Sequence, residues 1–126
     1  MNRRDPKLTV LLFNDRINNR DVDGLAGLTA EGHVFIDSDD NFYKGKETMV
    51  EGWADFFRDY PDYVNHFARL ESRGNLVLII GHSTCSYEPL DGPALWTAKV
   101  EDDLVAEWRV YHDTIENRAR LGLSAQ

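Results

Sequence analysis

Between Tyr63 and His112 apolar residues recur at every second position, after a first half in which they recur at helical spacing. That change of period constrains the fold more than any other feature. Helices first and strands afterwards is the order of an α+β chain, not of an alternating parallel one. Strands are expected over residues 64–73, 76–87, 95–101 and 104–112. Gly74-Asn75 and Asp102-Asp103 are short hairpin turns, and E-P-L-D-G-P joins the middle pair, so the strands run antiparallel.

The first half supplies the helices. Residues 5–19 open with Asp5 as a cap and Pro6 at the first helical position, and Leu8, Leu11, Leu12, Phe13 and Ile17 form the apolar stripe. A short helix is expected over 22–28, and H-V-F-I-D at 33–37 has the β-branched and aromatic residues of a strand. S-D-D-N-F-Y-K-G follows as a loop. A third helix over 46–59 buries Met49, Val50, Trp53, Phe56 and Phe57 and stops before Pro61. A last helical piece is expected over 114–121. Residues 1–126 read as one domain, in which a strongly curved antiparallel sheet and three helices from the N-terminal half make a cone-shaped hydrophobic pocket.

The charge balance narrows the partners. A formal net charge of −8 argues against nucleic acid and against an anionic membrane surface, both of which are bound by Lys and Arg. Cys85 is the single cysteine, so neither an intramolecular disulfide nor a cysteine metal cluster is expected, and burial as a small apolar residue is. No apolar leader run follows M-N-R-R-D-P-K and no stretch is long enough to span a bilayer, so a cytoplasmic protein is expected.

Three stretches resemble the SnoaL-like branch of the nuclear transport factor 2-like superfamily, a cystatin-like α+β cone. They are N-N-R-D-V-D-G-L-A-G-L-T-A-E-G-H-V-F-I-D at 18–37, Y-K-G-K-E-T-M-V-E-G-W at 43–53, and V-A-E-W-R-V-Y-H-D with R-L-G-L after it. The resemblance implies the fold across nearly the whole chain, but no particular reaction, since this fold carries isomerases, hydrolases, dehydratases, cyclases and plain binding domains. In ketosteroid-isomerase-like members a carboxylate ending the first strand is the general base, and Asp37 stands there. A helix-1 tyrosine that donates to the oxyanion is replaced by Phe13, and a second donor falls near Thr97. In cyclase and epoxide-hydrolase members an acid two positions after the last-strand tryptophan becomes Val110, and an Arg–Asp pair becomes His82 and Thr84. The resemblance also puts Trp108, Val110 and His112 on the pocket side, and implies pairing into a homodimer through the outer sheet face.

The candidates follow. Asp37 is either a proton-transfer residue, its pKa raised by the apolar cone, or a solvated opener of the S-D-D-N turn. His82 either relays a proton, with His112 assisting, or is a hydrogen-bonded core histidine. Phe35 shares parity with Asp37. Trp53, Phe57, Trp96 and Trp108 either wall a flat apolar ligand or are core, with Trp96 alternatively on the outer face. His33, Asp37, His82 and His112 lack metal-ligand spacing, so neither metal nor cofactor is expected. Asp113, with Glu116 three residues on, reads as the cap of the last helix. The expected function is a cofactor-free isomerase, dehydratase, hydrolase or cyclase acting on an apolar carbonyl-bearing or cyclic molecule. A non-catalytic binding or dimeric interaction domain is the alternative.

Overall fold

A computed structural model describes residues 4–123. Residues 1–3, the start of the M-N-R-R-D-P-K stretch, lie outside the described residues. The elements run α1 (Pro6–Asn18), α2 (Val22–Gly27), β1 (Thr29–Ile36), β2 (Phe42–Lys44), α3 (Lys46–Asp59), β3 (Val64–Arg73), β4 (Leu76–Thr84), β5 (Gly92–Glu101), β6 (Leu104–His112) and α4 (Ile115–Arg120), with a 3-10 turn at Glu88–Leu90. Six strands form one curved, unclosed sheet in the order β2-β1-β6-β5-β4-β3. Asp5 caps α1 by accepting from the Lys7 N–H, with Pro6 at its start, as the sequence predicts.

Two features were not read from the sequence. The segment expected as a loop contains β2, which pairs antiparallel with β1. β1 starts at Thr29 rather than His33 and lies parallel to β6, which sets Phe35 beside Trp108 and Ile36 beside Arg109. Asp37 therefore leaves the sheet where its first and last strands in chain order meet.

The sheet bends where β3 and β4 slip register between Phe67 and Arg69. Gly81 sits opposite that bulge, and a Cβ there would lie 2.1 Å from the His66 carbonyl oxygen. Only glycine lets the two backbones approach so closely. The β3 edge is also tied to α1: Asn18 accepts from the Asn65 N–H at 2.9 Å and donates to the Asn65 carbonyl at 2.9 Å. One side-chain amide thus satisfies both backbone groups that an edge strand would leave bare.

The helices pack on the concave face. Val10, Phe13 and Ile17 from α1, Leu25 from α2, and Met49, Trp53 and Phe57 from α3 meet Val77, Ile79, Trp96, Ala98, Val105 and Trp108 from the sheet. Trp96 is thus an inward residue; the outer-face alternative is wrong, because its partners Ile79 and Val110 both face the helices.

The convex face carries Leu78, Leu95, Thr97 and Tyr111, all nine-tenths or more buried within the single chain. α4 crosses that face between two clamps. Near its start Arg118 grips Asp113 through both guanidinium edges, at 2.7 and 2.9 Å. Past its end Arg73 donates to the Leu121 and Gly122 carbonyls at 2.8 and 3.1 Å. The α4 cap is Thr114, whose hydroxyl accepts from the Asn117 N–H, and not Asp113 as the D-T-I-E pattern predicts. Asp113 is released from capping because Arg118 takes its carboxylate, and that pairing holds its pKa below the ordinary value.

Candidate functional site

The cone opens between α3, the β1–β2 loop and the β3–β6 strands as a cavity of about 550 Å³. That is the size of a site for a drug-sized molecule. Its wall includes Phe35, Tyr43, Trp53, Phe56, Tyr60, Tyr63, Trp96 and Trp108, with Met49, Leu90 and Val110 between them. The rings form a continuous chain of contacts. Phe35 meets Tyr43 at 5.9 Å and Trp53 at 6.4 Å; Phe56 meets Trp53 at 5.9 Å, Tyr60 at 5.0 Å and Tyr63 at 4.9 Å. Two are near perpendicular, 89° for Trp53–Phe56 and 85° for Phe56–Tyr63, the edge-to-face arrangement that aromatic pairs favour.

Asp37 stands at the mouth. Its Oδ1 accepts from the Asp39 and Asn41 N–H groups at 2.9 and 3.0 Å, and its Oδ2 from the Asn41 amide at 3.0 Å. Partial burial alone would push the carboxyl up. Hydrogen bonds from Asn41, Asp39 and Tyr43 outweigh it and hold the pKa below the ordinary carboxylate value. This corrects the expectation of a raised pKa: the loop, rather than the apolar wall, dominates the carboxylate's surroundings.

A second polar group lies deeper, on β3 and β4. The Ser83 hydroxyl is 2.7 Å from Asn65 Oδ1 and 3.1 Å from the Tyr63 phenol. Serine has a single proton; given to Asn65, it leaves Ser83 to accept from Tyr63. Burial pushes the Tyr63 pKa up, so the phenol stays protonated. The indole N–H groups of Trp53 and Trp96 are buried without a hydrogen-bond partner.

Among the residues singled out from sequence, the structure brings Asp37, Phe35, Trp53, Trp108 and Val110 to the cavity. Phe13 and Phe57 lie behind its wall as core, Phe13 against Trp108 at 4.8 Å and Phe57 against Trp53 at 5.5 Å. His82, Thr84 and Thr97 are on the other side of the sheet. Cross-strand partners share a face, and His82 pairs with His66 and Pro93, Thr84 with Val64, and Thr97 with Leu78 and Arg109. His82 is exposed there and stacks on His66 at 4.6 Å. Thr84 is hydrogen-bonded to His66, and Thr97 lies 3.2 Å from the Tyr111 hydroxyl. A proton relay from Asp37 to His82 is therefore excluded by strand parity. His112 has inward parity but sits past the cavity, exposed, with Nε2 3.8 Å from Asp39. His33 is fully buried, its Nδ1 2.8 Å from the Val105 carbonyl, and burial lowers its pKa. Cys85 is half-buried, its thiol 3.5 Å from Asp62, rather than sealed in the core. Among the described residues, no group of three or more His, Cys, Asp or Glu side chains could hold a metal.

Sequence reasoning missed Tyr43, Tyr60, Tyr63 and Asn65. Two signals pointed to them: Phe56 and Tyr60 follow Trp53 at three and seven residues, one helical face, and Tyr63 and Asn65 share a strand parity with Phe67. Tyr43 was hidden in the segment read as a loop.

A helix-roofed, curved-sheet cone with an aromatic cavity defines a pocket protein of the nuclear transport factor 2-like class. The chain belongs to the SnoaL-like domain family, whose model matches residues 10–117. Similar solved structures include one described as a polyketide cyclase from Sinorhizobium meliloti, at 14% identity, 85% of this chain, 99% of that one and a TM-score of 0.74. An LEH-like epoxide hydrolase from M. tuberculosis is 17% identical over 86% of this chain and 82% of its own, with a TM-score of 0.76. A structure described as a ketosteroid isomerase from Kribbella flavida is 18% identical over 92% of this chain and 86% of its own, at 0.71. These identities show the fold alone. No curated protein matches the chain in sequence. Among the described residues no helix is long and apolar enough to cross a membrane.

Proposed function

We propose that the protein binds a small cyclic, mostly apolar molecule inside the cone. The cavity of about 550 Å³ walled by contiguous aromatic rings carries this reading. A solid core would have brought those rings together across the space. Apolar burial contributes about 25 cal/mol per Å², so a ring-sized ligand gains several kcal/mol from the wall alone. The test fills the hollow. Val110 lines it from β6 and is half-buried, so Val110→Phe takes up volume inside the hollow. Cyclic molecules that raise the melting temperature of the wild type are expected to lose that effect in Val110→Phe. Equal stabilisation of both proteins would put binding elsewhere and end the reading.

A second reading rests on Asp37 and Tyr63 lining one cavity. An ionised carboxylate is the base that proton abstraction beside a carbonyl needs, and the protonated Tyr63 phenol is the donor once it turns from Ser83 to the substrate oxygen. It would make the protein a cofactor-free isomerase, dehydratase, hydrolase or cyclase; structural neighbours are named as an isomerase, a hydrolase and cyclases. The low pKa of Asp37 weakens it as a base, which ranks this reading second. Exchange of an α-proton of a bound ketone for deuterium, lost in Asp37→Asn, would promote it; no exchange above the solvent rate would remove it. The same proposal places the protein in the cytoplasm as a homodimer. Pairing through the outer face has to accommodate α4, and sedimentation of the wild type against Arg73→Ala tests whether α4 forms part of the contact.

A further inference from the structure

The cavity's charges are all of one sign. Asp37 and Asp59 line it, and among the described residues no Lys, Arg or His does. The nearby guanidinium groups are engaged: Arg58 lies 3.2 Å from Asp55 and 3.6 Å from Asp59, and Arg109 reaches from the outer face to Asp40 at 2.7 Å. An anionic ligand would enter against Asp37, and against Asp59 only partly offset by Arg58, with no cation among the described residues of the wall to meet it. The remaining wall is aromatic. Ring faces carry negative potential and attract cations, most strongly where water is excluded.

We propose that this cavity takes an organic cation: a quaternary or otherwise alkylated ammonium borne on an apolar, ring-sized body. The inference rests on the pocket reading above and names its ligand class. The hydrogen bonding of Asp37 selects among cations. Its oxygens already accept from the Asp39 and Asn41 N–H groups and from the Asn41 amide, three of the roughly four acceptor positions of a carboxylate. It can offer charge but only one open lone pair. A primary ammonium has three N–H donors and would satisfy at most one of them there; a quaternary ammonium has none to lose. Phe35, Tyr43, Trp53, Phe56, Tyr60 and Tyr63 supply the faces and edges around it.

Three probes of one shape separate the outcomes: phenyltrimethylammonium, its neutral isostere tert-butylbenzene, and the anion benzenesulfonate. Titrations followed by calorimetry or by tryptophan emission are expected to show the cation binding at least tenfold tighter than the neutral isostere, and the anion not binding. Added salt should weaken the cation alone. Asp37→Asn should cost the cation several-fold in affinity and leave tert-butylbenzene unchanged. Asp59→Asn, on the exposed end of α3, provides the same comparison without disturbing the mouth loop. A neutral isostere that binds as tightly as the cation overturns the charge preference and leaves the pocket reading standing. Failure of all three probes overturns both.

Discussion

Asp37 shows how one residue can be placed correctly and read wrongly. Its position at the end of β1 put it at the cavity mouth. Its pKa was decided by Asn41 and Asp39, a few residues on in the same chain. The sign of its effect on stability follows from that shift. A carboxyl depressed in the folded state contributes stability above its unfolded value, about 3.9, and loses it as pH falls through the folded value. Asp113, held down by Arg118, acts in the same direction. His33 acts in a higher window: buried and neutral, it resists the proton that the unfolded chain accepts below about pH 6.5. Denaturant titrations from pH 8 to 3 are expected to show stability falling in two stages, the first below about 6.5 and the second below about 3.9. His33→Gln should flatten the first stage; Asp37→Asn should shallow the second. A first stage as steep in His33→Gln as in the wild type would remove the histidine from this account. Gly81 gives a sharper test of backbone packing. Gly81→Ala sets a methyl 2.1 Å from the His66 carbonyl and is expected to destabilise by about 1–3 kcal/mol. Gly52→Ala meets nothing within 4 Å on a helix and should stabilise by about 0.5–1 kcal/mol. Thermal melts of the two variants should move in opposite directions.

Elements were legible where a single period governed them. α1, α3 and the four later strands lie within a few residues of their expected bounds because each buries one face, and one face imposes one period. β2 was not legible: its three residues are all exposed, so no alternation marks it, and it exists because β1 offers an edge. The parallel contact of β1 with β6 joins residues about seventy positions apart, which no local pattern encodes. The site was half legible for the same reason. The resemblance put Trp108 and Val110 inward correctly, whereas His82 and Thr84, assigned by the same resemblance, meet a register that turns them out. At the end of the chain the cap pattern was right in kind and wrong by one residue. Thr114→Ala should therefore cost about 1 kcal/mol of α4 stability. Asp113→Ala acts differently, removing the carboxylate that Arg118 grips in the turn before the helix. Hydrogen exchange is expected to quicken at residues 115–122 in Thr114→Ala and in Arg73→Ala, with the central strands unchanged. Faster exchange throughout the sheet would mean that α4 is integral to the core and not a clamped cover.

At the scale of the whole molecule, the two faces of the sheet have divided their work. The convex face is partly covered within the chain: Leu78, Leu95 and Thr97 are buried and Arg73 grips the carbonyls after α4, while His66 and His82 stay exposed. The concave face closes at the Phe13 end, where Phe13, His33, Trp53 and Trp108 pack together, and stays open toward Asp37. An open hollow lined by apolar rings leaves a molecule less stable than its chain length allows, since each ring lacks neighbours on one side. A ligand that fills it should therefore stabilise the entire fold and not the mouth alone. Binding to the native state at a hundred times its dissociation constant adds about 2.7 kcal/mol. For a chain of 126 residues that raises the melting midpoint by several degrees. Slowed exchange should reach β4 and β5, whose Trp96 shares the wall, as well as the β1–β2 loop. A ligand that slowed exchange in the loop and left the midpoint where it was would be bound on the rim, with the hollow unused.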